Sequence, residues 1–222
     1  MRTFLLLLPL GGCAFGLETQ VVGTSPADAA EGVLPRTEVG LEGNLYSMSA
    51  HDMHVTQPPG LDALWDRVLT TPLLVYIEEE SDSELRLATA LSGADGNQDP
   101  CEKVRRFPVA DWRENPLFAA GPGSFDASFG GSAATVREVE LSGVIDAQGL
   151  GWSDGTLDAV LDTRELAAAL GGIDDVCALV QDLGGECFAC ADGEEACFSL
   201  AIESVRAKLI EADFDVTPDC GA

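Results

Sequence analysis

The chain has 222 residues, of which 38 are acidic and 12 are basic, so its formal net charge is −26. Such a surface repels nucleic acid and anionic lipid headgroups, and we expect neither as a partner. Hydrophobic residues make up 46% of the chain. This excludes a compositionally disordered protein and is enough for one domain with a proper core, or at most two small ones.

The first segment, Met1–Cys13, carries one positive charge, then a short apolar run, then small residues before a cysteine. The apolar run from Phe4 to Leu10 is about a third of the roughly 20 residues that a transmembrane helix needs. This pattern is typical of a secretory signal peptide.

Leu10-Gly11-Gly12-Cys13 resembles the lipobox of bacterial lipoproteins. The resemblance implies cleavage before Cys13, whose sulfur then carries a diacylglyceryl group and whose new amino terminus carries a third acyl chain. Several acyl chains anchor a protein stably to a membrane. Ala14 stands where an Asp would signal inner-membrane retention, so the resemblance implies the bacterial outer membrane. The alternative is an ordinary secretory signal that is cleaved after Ala14 or Gly16.

These features divide the chain into a lipoprotein signal peptide at residues 1–12, a flexible tether at 13–36 and a single β-rich domain at 37–222. The end of the tether consists mainly of small and polar residues, as in Thr24–Gly32. Such a composition is typical of a linker.

Alternating and helical patterns in the first half of the domain predict its secondary structure. A strand runs from Leu45 towards Val55, and a helix over 61–69 has apolar residues at i, i+3 and i+4 spacing. Strands over 72–77 and 85–91 follow, and the acidic run 78–84 between them is interpreted as a hairpin loop.

Residues 107–133 are rich in Pro, Gly, Ser and Phe and show no regular periodicity. We interpret them as an irregular segment that is packed by four aromatic side chains: Trp112, Phe118, Phe125 and Phe129. The next predicted strand is 136–145, with Val139 and Leu141 on one face. Turns at 146–149 and 152–155 then lead to a strand over 156–161. Helices over 164–170 and 174–183 and a strand from Cys197 complete the predicted elements. The fold is therefore expected to be α+β and β-rich, an antiparallel sheet forming a barrel or sandwich with two or three short helices.

The chain has seven cysteines. If Cys13 is acylated, an even number remains, and in an exported protein this predicts disulfides among Cys101, Cys177, Cys187, Cys190, Cys197 and Cys220. Spacing alone leaves the connectivity open. The turn at Asp192-Gly193 favours Cys190–Cys197 and the helix carrying Cys177 favours Cys177–Cys187. Cys101–Cys220 then remains, and the bridges would brace the domain.

Cys187-Phe188-Ala189-Cys190 has the spacing of a redox-active pair. No helix is expected to follow it and lower the pKa of a thiol, so we interpret both cysteines as structural. A four-cysteine zinc site made of Cys187, Cys190, Cys197 and Cys220 is the alternative. The uneven spacing and an oxidising compartment disfavour it.

Two further groups of residues resemble ligand sets. His51, Asp52 and His54 lie in one short stretch, but positions i and i+3 of a strand face opposite sides, so we interpret the pair as incidental. Asp95–Asp99 offers oxygen atoms in a turn but lacks the EF-hand pattern, and we interpret it as a solvated turn. No Ser/His/Asp triad or carboxylate pair stands out. The sequence therefore predicts no catalytic, cofactor-binding or metal-binding residue.

Several motifs resemble predicted lipoproteins of myxobacteria and related bacteria. The similar segments are Cys101 with Phe107-Pro108, Asn115–Gly123, Leu141–Ile145, Asp162–Leu166 and the run from Cys177 through Cys187-Phe188-Ala189-Cys190 to Cys197. The resemblance covers most of the chain after the signal peptide. It implies export and disulfide bonding, and it supplies no catalytic residue.

The sequence thus predicts a lipid-anchored cell-envelope protein of non-catalytic role, attached to the membrane through Cys13. Its acidic, disulfide-stabilised domain would bind a protein or an apolar small-molecule ligand. The alternative is an envelope hydrolase with a carboxylate-based site. Two close carboxylates with raised pKa would favour the hydrolase, and a smooth acidic surface would favour the non-catalytic role.

Overall fold

A computed structural model describes residues 34–65, 71–93, 95–129, 132–169 and 175–218. The described residues all belong to one compact unit, Leu34–Ala222. The signal peptide at 1–12, the anchor residue Cys13, the tether as far as residue 33, and Cys220 lie outside the described residues.

β-strands make up most of the described domain. In chain order they are β1 (Leu45–Met48), β2 (His54–Gln57), β3 (Leu73–Glu80), β4 (Glu84–Leu91), β5 (Arg105–Arg106), β6 (Ala110–Asp111), β7 (Leu117–Phe129), β8 (Ser132–Ile145), β9 (Gly151–Asp162), β10 (Phe188–Ala189) and β11 (Glu195–Ile210). Two 3-10 helices (Ala50–Asp52 and Pro59–Leu64) and two α-helices, α1 (Thr163–Ala169) and α2 (Val176–Asp182), complete the described elements.

Eight of these strands form a closed antiparallel barrel. They are hydrogen-bonded in the order β1-β3-β4-β6-β7-β8-β9-β11, and β11 then pairs with β1, with Leu45 opposite Ile210. The short strands β2 and β10 also pair with β11, and β5 pairs with β4. The predicted fold class is confirmed, and the pairing of β1 with β11 makes the sheet a barrel.

Bulges keep the apolar face of the long strands inside the barrel. In β8 the buried residues are Ala134 and Val136 before Glu138, and Val139 and Leu141 after it. Glu138 has a φ of 52°, and the register with β9 shifts beside it. Because an extra residue reverses the alternation of faces, the inward positions change from even to odd numbers along one strand.

The same device occurs in the next two strands of the sheet, β9 and β11. Asp154 in β9 has a φ of 51° and Ser204 in β11 has a φ of 57°. Next to Asp154, a Cβ on Gly155 would lie only 2.6 Å from the carbonyl oxygen of Ser142 and 2.8 Å from that of Val205. Both flanking strands therefore approach β9 closely at this point, and only glycine fits there.

The interpretation of 107–133 as irregular is wrong for most of the segment. It contains β6 and the long strand β7, which pairs with β8 along its length. The prediction failed because Gly121, Pro122 and Gly123 interrupt the alternation of apolar and polar residues. The strand is regular because its backbone is hydrogen-bonded to β8, which the sequence pattern does not show. Trp112 and Phe118 are buried as expected, whereas the side chains of Phe125 and Phe129 are outside the described set.

Three boundaries in the first half also differ from the predictions. The acidic run 78–84 is not all loop, because Glu78, Glu79 and Glu80 end β3 and the turn is closed by the Ser81 N–H donating to the Glu84 carbonyl. The expected strand from Leu45 to Val55 is two strands separated by a 3-10 helix. Of the helix predicted over 61–69, the first part is the 3-10 helix Pro59–Leu64, and residues 66–70 are outside the described residues.

In the second half, the expected turn at 152–155 is instead part of β9, which begins at Gly151. The predicted helix over 164–170 is α1, and residue 170 is not described. The predicted helix over 174–183 is α2, whose N-cap is Asp175, with its carboxylate accepting the Ala178 N–H.

The two ends of the barrel are closed in different ways. At one end, which we call the entry end, the segment Thr37–Leu41 runs across the turns that follow β3, β6 and β8. At the other, which we call the braced end, α1, α2 and β10 surround the start of β11. No helix among the described residues is long and apolar enough to cross a membrane.

Candidate functional site

Aromatic side chains fill the interior of the barrel near the entry end. The ring of Trp152 lies 5.1 Å from that of Tyr46 and 5.4 Å from that of Phe118, measured between centroids. The Tyr46 hydroxyl donates to the Gly149 carbonyl at 2.9 Å, and burial raises its pKa. The Trp152 indole Nε1 is buried and has no hydrogen-bond partner among the described atoms. This part of the interior is packed core rather than a ligand chamber.

Hydrogen bonds fix the entry segment to the barrel. The Thr37 N–H donates to the Asn115 side-chain oxygen at 2.8 Å, and the Asn115 amide donates back to the Thr37 carbonyl at 3.2 Å. The Thr37 hydroxyl donates to the Ile145 carbonyl. Further along, the Leu41 N–H donates to the Glu80 carboxylate, and the Leu41 side chain is fully buried. The chain thus enters the domain at a defined place.

A groove of about 530 Å³ lies beside this entry segment, on the outer wall of β8, β9 and β11. We call it the entry groove and define it by six of its lining residues: Leu34, Pro35, Pro116, Val144, Leu150 and Lys208. Leu34 is 45% exposed and Leu150 is 58% exposed. The groove therefore offers solvent-accessible apolar surface next to a lysine and two carboxylates, those of Asp146 and Asp154.

No local pattern in the sequence indicates the entry groove. Its residues are far apart in the chain and meet only because β7 pairs with β8, β8 with β9, and β9 with β11. Leu150 was the available signal, since a large apolar residue at the end of a hairpin turn has no local reason to be there.

A second groove, of about 420 Å³, lies beside the turn Asp95–Asp99, which offers oxygen atoms of the kind that bind calcium. Asp95 accepts hydrogen bonds from the backbone and side chain of Asn97, and these bonds lower the pKa of its carboxyl group. Gln98 exchanges two hydrogen bonds with the backbone of Asp215, at 2.9 and 2.7 Å. These contacts hold the C-terminal segment on the turn, which gives the turn a structural role.

Two disulfides stabilise the braced end. Cys177 on α2 is bonded to Cys187, and Cys190 is bonded to Cys197 on β11. These are the two pairs that the turn and the helix favoured in the sequence. Cys101 is also disulfide-bonded, and its expected partner, Cys220, is outside the described residues.

A charged cluster lies against the second disulfide. The Asp162 side chain, only 4% exposed, accepts hydrogen bonds from Arg164 at Nε (2.9 Å) and Nη2 (2.6 Å). Arg164 also donates to Asp192 at 2.8 Å, and Arg137 donates to Glu165 at 2.9 Å. Arg164 holds the pKa of Asp162 and of Asp192 below the usual range of a carboxyl group. The cluster therefore remains ionised and clamps α1 to the hairpin of β10 and β11.

The pairing of the cysteines decides the chemistry of the CxxC segment. Cys187 and Cys190 are each bonded to a cysteine outside the motif, so they do not form a dithiol pair. The closest grouping of metal-ligand types among the described residues is Asp162, Cys190 and Cys197, with ligand atoms within 4.8 Å of one another. Two of its members share a disulfide, and a disulfide sulfur is not the thiolate that zinc requires.

The two histidines lie in different elements. His51 lies in the 3-10 helix Ala50–Asp52, and His54 begins β2. The His54 Nδ1 lies 3.1 Å from the Asp62 carboxylate, which also accepts the Val55 N–H. Asp62 thus serves to fix the start of β2 against the following 3-10 helix.

Comparison with protein families, curated proteins and solved structures finds no match for this chain.

Proposed function

We propose that this chain is a lipid-anchored cell-envelope protein of non-catalytic role, whose barrel binds a protein or an apolar small molecule at its surface. The anchor is supported by the signal-like segment and by Leu10-Gly11-Gly12-Cys13. Acylation of Cys13 would hold the protein at the outer membrane through its lipid chains.

The observation that carries the proposal is the state of the described cysteines. Cys101, Cys177, Cys187, Cys190 and Cys197 are all disulfide-bonded. Disulfides are typical of domains outside the reducing cytoplasm, so export is the natural fate of this chain.

The pKa shifts of the carboxylates bear on the hydrolase alternative. A hydrolase with a carboxylate-based site needs a general acid whose pKa is raised. The described carboxylates with a clearly shifted pKa all shift downward: Asp95, Asp111, Asp162, Glu165 and Asp192. The hydrolase alternative therefore gains no support from them.

Mass spectrometry of the amino terminus tests the anchor. The protein is recovered from bacterial envelopes, and we expect its mature chain to begin at an acylated Cys13. The variant Cys13→Ala should lack the acyl mass. A parent protein that begins after Ala14 or Gly16 without acyl groups would disprove the anchor.

A further inference from the structure

The positive charges of this acidic domain fall into two groups. Most described arginines form ion pairs with a carboxylate: Arg86, Arg105, Arg106, Arg113, Arg137 and Arg164. A smaller group forms no ion pair with any described residue: Arg36, Lys103, Arg206 and Lys208. Four of the ten described cations are thus unpaired in a chain with a net charge of −26.

All of the unpaired cations except Lys103 are found at or next to the entry groove. Lys208 lines it. Arg206 is the previous outward residue of β11, since Val205 and Ala207 on either side of it are buried. Arg36 follows Pro35, which also lines the groove. Three of the four unpaired cations among the described residues therefore lie at or next to the entry groove.

The two carboxylates that line the groove, Asp146 and Asp154, accept hydrogen bonds from neighbours in the chain. Asp146 accepts the N–H groups of Gln148 and Leu150, at 2.9 and 3.0 Å, and so shapes the turn between β8 and β9. Asp154 accepts the Ser153 hydroxyl at 3.0 Å. Neither forms an ion pair with Lys208, so the lysine ammonium is available to an external anion.

The apolar part of the groove is continuous with a further exposed side chain. Leu117, which is 41% exposed, pairs with the groove residue Val144 and follows Pro116. Leu34 and Leu150 also line the groove. Exposed apolar surface of this kind marks a binding site when polar groups border it.

We propose that the entry groove binds a single-chain amphiphile with an anionic head group. The apolar chain lies along Leu34, Val144 and Leu150, and the head group binds the Lys208 ammonium. The acidic surface as a whole repels anionic headgroups, and the unpaired cations at this apolar groove are the local exception that would attract one. The inference rests on the proposed function, in which the barrel binds an apolar ligand, and it assigns the ligand class and the site.

Titration of the full chain with sodium dodecanoate, below its micelle concentration, tests this site by isothermal titration calorimetry. We expect saturable binding at one site. Lys208→Gln should weaken it about tenfold, since it removes a charge-assisted hydrogen bond. Lys103→Gln is the matched control, because Lys103 is the other lysine of the chain and lies away from the groove; its affinity should equal that of the parent.

A second set of measurements distinguishes the contribution of the apolar chain from that of the head group. Leu150→Ser should also weaken dodecanoate binding, whereas Phe188→Ser, which changes an exposed apolar residue of the braced end, should not. Dodecanol, which has a neutral head, should bind more weakly than dodecanoate and should be insensitive to Lys208→Gln.

The proposal is wrong if dodecanoate gives no saturable binding, or if the two lysine variants behave alike. Dodecanol that binds as tightly as dodecanoate would disprove the head-group assignment. If the protein forms dimers that dodecanoate does not dissociate, the groove would instead be the binding site for a second copy of the chain. None of these results bears on the acylation of Cys13, so failure of the groove and failure of the anchor can be told apart.

Discussion

The two ends of the barrel are closed by different kinds of interaction. The entry end depends on packing of aromatic side chains around Trp152 and on hydrogen bonds from Thr37 and Leu41 to neighbouring turns. The braced end depends on two disulfides and on the charged cluster around Asp162. The entry end therefore relies on burial and hydrogen bonds, whereas the braced end adds covalent links and charge to its buried core.

The difference has a physical reason. Closely packed aromatic side chains gain free energy from burial and complementary shape. The helices of the braced end have few residues, and short helices are marginal without tertiary support. Disulfides and ion pairs supply that support, so redox conditions and pH should act mainly on this end. The three predictions below test this distinction, in order of decreasing effect.

Removing the central aromatic ring of the entry end should have the largest effect. Trp152 is 4% exposed, so Trp152→Ala should lower the free energy of unfolding by about 3–5 kcal/mol. Urea unfolding followed by circular dichroism measures it. Phe188→Ala, at a residue 40% exposed, is the control and should have little effect. A loss below about 1 kcal/mol for Trp152→Ala would show that the aromatic cluster does not hold this end.

Removing one bridge of the braced end should have a smaller and local effect. The double variant Cys190→Ser with Cys197→Ser should lose about 2–3 kcal/mol, because the cross-link no longer restricts the unfolded chain. Hydrogen exchange should become faster in α1, α2 and β10, while the Thr37 amide keeps its protection. Equal loss of protection at both ends would mean that the barrel opens as one unit.

The charged cluster should make the braced end sensitive to acid. Arg164 holds the folded-state pKa of Asp162 below its usual range. A depressed pKa adds stability above the unfolded value of about 3.9, and that stability is lost as the pH falls through the folded value. Arg164→Gln should therefore be less stable than the parent at pH 7, and the difference should shrink below about pH 4.

The matched control for this variant is Arg113→Gln at the entry end. Arg113 lowers the pKa of Asp111 to about 2, but both side chains are exposed and solvent screens their interaction. Urea unfolding of both variants between pH 2 and pH 7 makes the comparison. A larger pH-dependent loss for Arg113→Gln than for Arg164→Gln would contradict the distinction between the ends.

Local pattern predicted the strands well where the alternation was unbroken. The strand from Cys197 was found because Phe198, Leu200 and Ile202 alternate and are buried. The prediction failed around Gly121 and Trp152, where bulges, glycine and proline interrupt the alternation. A bulge moves the buried face by one residue, so a pattern of fixed period cannot follow the strand through it.

Spacing along the chain predicted a cysteine bridge but could not predict the entry groove. Cys190 and Cys197 are joined by a short turn, so spacing suggested their bridge, and the structure contains it. The groove needs residues near positions 34, 116, 150 and 208 at once. No local signal connects them, although the exposed Leu150 was a clue.

The sequence by itself determined the β-rich class, the short helices and the bridges between nearby cysteines, because alternation and turn chemistry act between neighbours in the chain. The tertiary structure alone decided that the sheet closes as a barrel, through the pairing of Leu45 with Ile210. It also decided where the unpaired Lys208 meets apolar surface. These features depend on strand register between distant segments, which is set by packing of the whole core rather than by any one stretch of residues.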